Sequence, residues 1–315
     1  MSAPSQLVPT LGELQEPSYE LLRRLELVIT KRLNGLLRGD HRGLTPAHGS
    51  EPGEARPYLF GDDVRRIDWN VTARMQDTYL RETIADRELD TWILIDYSPS
   101  IGYGTALCEK RDLVLAACAA IGFLAAGEGN RIGALIATPE GNRIFPARGG
   151  RAHLFALLDA VMTTRPPASG SIELDAAIGR LGGLARRRGL CAVVSDFLAE
   201  PGWLRSLRQI TTRHDVLAVE VLDPREMELP NVGVLGLVDP ESGEFREVQT
   251  SSAKLRHNYA EAAQRQRDTV DEELRRSGAD HLLLRTDRDW FHDLVRFVLR
   301  RRQVASHSSG SRGGR

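Results

Sequence analysis

The chain has 315 residues, of which 41% are hydrophobic and 27% charged, with a formal net charge of −1 at pH 7. This length accommodates one large domain with an appendage or two small ones, and the composition is that of a soluble globular protein. The balanced charge excludes a global electrostatic attraction to nucleic acid or to an anionic membrane surface. The basic residues are almost all arginine, the only lysines being Lys31, Lys110 and Lys254. Cys108, Cys118 and Cys191 show no C-x-x-C spacing and lie in apolar sequence, the pattern of reduced core thiols. No basic-then-apolar leader opens the chain, and the longest apolar run, Leu113 to Ala126, is too short to span a bilayer. A cytoplasmic location is the expectation.

In chain order, residues 1–17 are polar. Leu22, Leu25, Ile29, Leu33 and Leu36 mark one face of a helix that Gly39 can stop. Residues 40–54 read as a loop, and Arg56 to Arg87, dense in charge and aromatics, as short strands and turns. The main domain begins near Thr91 with an apolar run ending at Asp96, without the alternation of a half-exposed strand. A helix over Leu107–Ala126 is apolar nearly all round and should be deeply buried. Strands follow at Arg131–Thr138 and Asn142–Phe145, and helices at Ala152–Met162 and Ile172–Arg187. Leu190–Ser195 is a second buried strand, followed by Asp196. A helix over Pro201–Thr212 leads to a strand at Asp215–Leu222 and a β excursion, Val232–Val238 and Phe245–Val248. Leu255, Tyr259, Ala262, Gln266, Val270 and Leu274 outline a long helix, His281–Leu284 a last strand and Asp289–Arg301 a closing helix. Ser306–Arg315 is too polar to fold alone. Strands alternating with helices predict an α/β fold: an open, mostly parallel, Rossmann-like sheet with helices on both faces. The expected organisation is an N-terminal helix and β region over 1–90, the α/β domain over 91–302 and a disordered tail over 303–315.

The chemistry concentrates at strand ends. Open α/β sheets bind ligands beyond the carboxyl ends of their strands, and there the first strand runs into Asp96-x-Ser98-x-Ser100. Gly170-Ser171-Ile172 precedes a helix, and Asp196 ends another strand. Asp96, Ser98, Ser100, Ser171 and Asp196 thus form an all-oxygen set on three loops, which suits a hard cation such as Mg²⁺ and can leave one coordination position open.

This pattern resembles the metal-ion-dependent adhesion site (MIDAS) of von Willebrand factor A domains, D-x-S-x-S followed by a Thr and then an Asp on three loops. Asp96, Ser98, Ser100 and Asp196 match, Ser171 stands where Thr is usual, and Phe197 stands where many adhesive A domains carry Gly.

A second motif is longer. Arg56-Pro57-Tyr58-Leu59-Phe60-Gly61-Asp62-Asp63-Val64-Arg65-Arg66-Ile67-Asp68-Trp69, followed by Ala73-Arg74, resembles the R-x-Y-x-x-G-D-D-x-R-x-I-D-W signature of the domain-of-unknown-function 58 family. Arg81-Glu82 and Arg87-Glu88 fit the same layout, and the resemblance covers about Arg56 to Arg302. It implies an A-like domain with a metal site, working with a MoxR-type AAA+ ATPase in protein assembly, maturation or stress tolerance. Read physically, the segment is first a structural one, with Arg–carboxylate forks, a turn at Gly61 and Trp69 as an apolar anchor, and partner docking is the alternative role.

Other readings are weaker. A haloacid-dehalogenase-like phosphatase needs a second Asp where Ser98 stands, and neither G-x-x-x-x-G-K-[ST] nor G-x-S-x-G occurs. The expectation is a non-catalytic, metal-dependent protein-interaction module, with Mg²⁺ or Mn²⁺ as the ion and a protein carboxylate as its ligand. The alternatives are a metal-dependent hydrolase with Asp63 or Glu82 as base, and a scaffold whose metal site is vestigial.

Overall fold

The computed structural model describes residues 20, 22–27, 29–30, 55–58, 67, 69–75, 77–81, 89–126, 129–200 and 202–310. The chain divides into two compact units, residues 45–88 and residues 1–44 with 89–315. The N-terminal 90 residues are therefore not one unit. Leu22, Leu25 and Ile29, on one helical face, are buried in the core of the larger unit, and Glu26 pairs with Arg151.

In the smaller unit, β1 (Ala55–Pro57) pairs antiparallel with β2 (Tyr79–Arg81), and α1 (Trp69–Thr72) lies between them in sequence. The Thr72 hydroxyl accepts from the Tyr79 amide at 3.0 Å. Trp69, expected to anchor the segment, is instead 70% exposed. Asp62, Asp63, Arg65, Arg66, Asp68 and Glu82 lie outside the described residues.

The larger unit is built on a six-stranded sheet. Its strands are β3 (Asp90–Asp96), β4 (Arg131–Thr138), β5 (Gly141–Arg148), β6 (Gly189–Ser195), β7 (Asp215–Leu222) and β10 (Asp280–Arg285), in the order β10-β7-β6-β3-β4-β5. Every pairing is parallel except β4–β5. Between the strands run α2 (Lys110–Ala125), α3 (Arg151–Thr163), α4 (Leu174–Leu184), α5 (Trp203–Thr211) and α6 (Ala253–Ser277). The hairpin β8 (Val234–Val238) and β9 (Phe245–Gln249) stands apart from the main sheet, and α7 (Trp290–Gly310) closes the chain.

Side-chain alternation along the central strands creates two cores. Ile93 and Ile95 join Ala192, Val194 and helix α2 on one face, while Trp92 and Leu94 join Cys191, Val193 and helices α4 and α5 on the other. Because both faces are covered, β3 and β6 are buried at every position, which is why their sequences do not alternate. Each buried aliphatic side chain contributes about 1.5–3 kcal/mol. Close strand approach demands Gly189, where a Cβ would stand 1.9 Å from the Asp90 carbonyl oxygen.

The expected α/β sheet is the one observed, and β4 and β7 span the residues read from sequence. There are three differences. β5 runs on to Arg148 as a half-exposed edge strand, which keeps its apolar signal short. Helix α4 starts at Leu174, leaving Ser171 in the preceding loop. Helix α7 continues to Gly310 rather than ending at Arg301, and so takes in most of the expected disordered tail. Residues 311–315 lie outside the described residues.

Asp223, fully buried just after β7, ties three segments together. It accepts from the Thr105 amide (2.8 Å) and hydroxyl (2.6 Å), the Thr286 hydroxyl (2.7 Å) and the Arg225 amide (2.9 Å). Burial alone would raise its pKa, but the bonds from Thr105 and Thr286 outweigh burial and hold the carboxyl below its ordinary value. A depressed carboxyl stabilises the fold above its unfolded pKa, about 3.9, and that contribution is lost as pH falls through the lower folded value. Asp223→Asn, which can accept only through one oxygen, should cost about 3 kcal/mol near neutral pH. In urea titrations across pH, the cost should shrink towards the acid end.

Candidate metal centre

The sheet order places the topological switch point between β3 and β6, where helical crossovers leave in opposite directions. Asp96 is the last residue of β3, and Asp196 follows the last residue of β6. Ser98 and Ser100 lie at the start of a short 3₁₀ turn, Pro99–Gly102. All four side chains are buried, none more than 7% exposed.

These four form one hydrogen-bonded cluster. Asp96 Oδ1 accepts from the Ser98 amide at 2.8 Å. The hydroxyls of Ser98 and Ser100 are 3.0 Å apart, and Ser100 hydrogen-bonds the Asp196 carboxylate. Asp196 Oδ1 also accepts from the Leu198 amide at 3.2 Å. The fifth expected ligand, Ser171, is exposed and takes no part in these bonds. Its loop reaches the mouth of the crevice by another route. Gly170, at φ +112° and with its Cβ position blocked by Pro139, donates its amide to the Glu241 carbonyl at the tip of the β8–β9 hairpin, 3.0 Å away.

Four further residues belong to the site and were not singled out in the sequence. Ser195 donates its hydroxyl to Asp96 Oδ2 at 2.6 Å and accepts from the Phe197 amide at 2.9 Å. Lys110, fully buried, donates to Asp196 Oδ2 at 2.8 Å and to Glu226 Oε1. Glu226 is fixed by a capping box, its other oxygen accepting from the Asp223 amide at 3.0 Å. Glu241 is half-buried, and burial followed by the charge of Asp196 raises its pKa. A signal for Lys110 was present in sequence. It is one of three lysines in an arginine-dominated chain and opens a helix at the N-terminal end, where the helix dipole disfavours a cation. Such a position implies a strong local anion.

Phe197 explains a departure noted in the sequence. It has φ +55°, the left-handed region that Gly occupies freely and other residues enter at a cost of about 1–2 kcal/mol. Burial of its ring to 2% exposure and its packing on Trp203, 5.1 Å between centroids, offset that strain.

The electrostatics follow from the charge count. Of three carboxyls, Asp196 and Glu226 share the ammonium of Lys110, and Asp96 stands beside Asp196. Burial would lift Asp196, but Lys110 outweighs it and holds the carboxyl below its usual range. Burial would likewise depress Lys110, yet its two carboxylates raise it above its ordinary value. Among the described residues Asp96 has no such partner. Burial, reinforced by the Asp196 charge, pushes it up to about 6, against the bonds from Ser195 and Ser98. The donor set fits a hard divalent cation: every donor is oxygen, and the negative charge exceeds what Lys110 neutralises. A separate group, Glu220, Asp271 and His281, has ligand atoms within 4.8 Å of one another. There Arg267 already bonds Glu220 and lies 3.4 Å from Asp271, in the place a cation would take.

A doubly wound sheet whose switch point holds Asp-x-Ser-x-Ser facing a second strand-end aspartate defines a von Willebrand factor A-like α/β protein. The chain belongs to the family described as protein of unknown function DUF58, whose model matches residues 54–269. It is similar to the uncharacterized protein Rv1480 of Mycobacterium tuberculosis, 51% identical over 296 residues, or 93% of each chain. Solved structures with lower similarity include the conserved hypothetical protein BatB from Bacteroides thetaiotaomicron, at 11% identity and a TM-score of 0.44 over 70% of this chain and 99% of that one. Another is a von Willebrand factor type A protein from Catenulispora acidiphila, at 16% identity and a TM-score of 0.33 over 44% and 34%.

Replacing Lys110 with Met, of similar length and without charge, leaves Asp196 and Glu226 buried without their cation. The expected cost is about 3–5 kcal/mol, read by urea denaturation in EDTA at neutral pH. A Lys110→Met variant as stable as the parent would show that the ammonium does not hold the crevice together.

Proposed function

We propose that the crevice is a divalent-cation site through which the protein engages an acidic side chain of a protein partner. The observation that carries this reading is the uncompensated charge. Lys110 neutralises one carboxylate of three, and Asp96, beside the Ser98 and Ser100 hydroxyls, is left without a cation. Mg²⁺ is the proposed ion, with Mn²⁺ as a substitute. Asp96, Ser98, Ser100 and Asp196 would hold it directly or through water, and Ser171 would join from its exposed loop. A hydrated, incompletely coordinated cation gains most from an anionic oxygen, so affinity for the partner would depend on the metal and on one carboxylate.

The family resemblance points to a MoxR-type AAA+ ATPase or its client as that partner, and to assembly, maturation or stress response as the setting. The site is read as binding rather than catalytic. Its one buried ammonium is locked between two carboxylates and is not free to act as a general acid. Among the described residues no helix is long and apolar enough to cross a membrane, and a cytoplasmic location is part of the proposal.

Isothermal titration of EDTA-stripped protein with Mg²⁺ and with Mn²⁺ tests the reading. The expected result is saturable binding that Asp96→Ala abolishes while the variant remains folded in EDTA by circular dichroism, with some loss of stability from the Ser98 and Ser195 donors it leaves unpaired. Absence of binding by the parent protein, or equal binding by Asp96→Ala, would overturn it.

A further inference from the structure

A second concavity lies at the β10 edge of the sheet, sharing no residue with the crevice. Its volume is about 330 Å³, and α6, β10 and α7 contribute its walls. Arg267, Arg285, Arg288, Arg296 and Arg300 line it, against the carboxylates Asp271 and Asp293.

Two of the five guanidiniums are committed. Arg267 bonds buried Glu220 and approaches Asp271, and Arg285 makes two 2.9 Å bonds to Asp287. The other three are not. Among the described residues, none of Arg288, Arg296 and Arg300 has a carboxylate within the 4.0 Å of an ion pair. All three are exposed at the cavity's rim, and Arg288 and Arg296 pull on the Asp293 carboxyl without closing an ion pair on it. Burial pushes that carboxyl above its ordinary value despite the pull of Arg288 and Arg296, whereas a guanidinium fork closed on it would hold it below. Arg296 and Arg300 also stand four residues apart on α7, where like charges repel unless an anion lies between them.

We propose that this cavity binds a small phosphate-bearing anion, a phosphomonoester or pyrophosphate, through the guanidiniums of Arg288, Arg296 and Arg300. Planar guanidinium donors match phosphate oxygens two at a time, which single ammonium groups do not. The volume sits at the lower end of the range for small-molecule sites, about 300–1,000 Å³, and is too small for a folded partner. Phe297 and Leu283, both half-buried, give the wall an apolar strip for the rest of the molecule. Beneath it, Glu220 fixes Arg267 and His281 together, His281 Nε2 lying 2.9 Å from Glu220 Oε2, so the floor is rigid and already neutralised.

The test is calorimetric titration with inorganic pyrophosphate at constant ionic strength in EDTA, so that no cation in the crevice can carry the phosphate. The parent protein should bind saturably. The Arg296→Ala/Arg300→Ala pair, and separately Arg288→Ala, should weaken binding by about tenfold or more, equivalent to about 1.4 kcal/mol. Arg246→Ala, which removes the same charge from the exposed β8–β9 hairpin, should leave it unchanged. Sedimentation with vesicles containing phosphatidic acid, against phosphatidylcholine alone, assigns the source. Co-sedimentation reversed by pyrophosphate identifies a lipid headgroup, and pyrophosphate binding without co-sedimentation identifies a soluble anion. Lack of saturable binding, undiminished binding in the cavity variants, or an equal loss in Arg246→Ala would each overturn the assignment.

Discussion

The crevice depends on one ion pair buried within it, that of Lys110 with Asp196 and Glu226. Two strands of a parallel sheet deliver acidic side chains to the same point because β3 ends at the switch point in Asp96 and Asp196 follows the last residue of β6. Buried together, Asp96 and Asp196 repel, and the effective cost of burying a charge is several kcal/mol even after relaxation. Helix α2 resolves part of this conflict by placing an ammonium at its first turn, on Asp196. Glu226 holds that ammonium from the far side, and its own position is set by the turn that Asp223 caps. Asp223 in turn is bonded by Thr105 and Thr286, so the segments following β3, β7 and β10 are linked to the charge balance of the crevice through two carboxylates and a lysine.

The second device is conformational. Immediately after β6 the chain must turn so that Asp196 faces the crevice, and that turn requires a left-handed residue. Phe197 occupies it, and the strain is met by packing rather than avoided by a glycine. The Ser195 hydroxyl completes the arrangement by bonding Asp96 on one side and the Phe197 amide on the other. A strained backbone, a buried ring and a bridging hydroxyl together fix the separation of the two aspartates.

The parallel strands were legible in sequence because burial on both faces leaves a continuous apolar run, and the two that end in aspartate drew attention to themselves. Asp96, Ser98, Ser100 and Asp196 were legible because one strand-end loop and one strand-end residue carry them. Ser195 and Glu226 were not, and of Lys110 only its unusual placement was, since each acts through partners far away in the chain: Lys110 lies 86 residues from Asp196 and 116 from Glu226. Periodicity describes a helix face, and it cannot say which loop that face's first turn will meet. Ser171 is the least legible of the five: its place before a helix suggested a ligand, and the helix starts three residues later, leaving Ser171 exposed in the loop. The exposed Trp69 shows that an aromatic residue in a conserved-looking motif is not thereby a core residue.

The β8–β9 hairpin gives the proposed reading its selectivity. Inserted between β7 and α6, it brings Glu241 to the crevice mouth, where Asp196, Asp239 and Glu200 raise its pKa along with burial. An acidic partner approaching without a metal would meet Asp96, Asp196 and Glu241 together, with one ammonium already engaged, and like charges at such range are strongly unfavourable. On the proposed reading, a divalent cation on Asp96 and the serine hydroxyls would reverse the sign of the field at the point of contact. The same negative surplus would make cation binding favourable and carboxylate binding conditional on it. A site with its charges fully paired internally would be more stable, but it would retain no preference between a metal-loaded and a metal-free encounter.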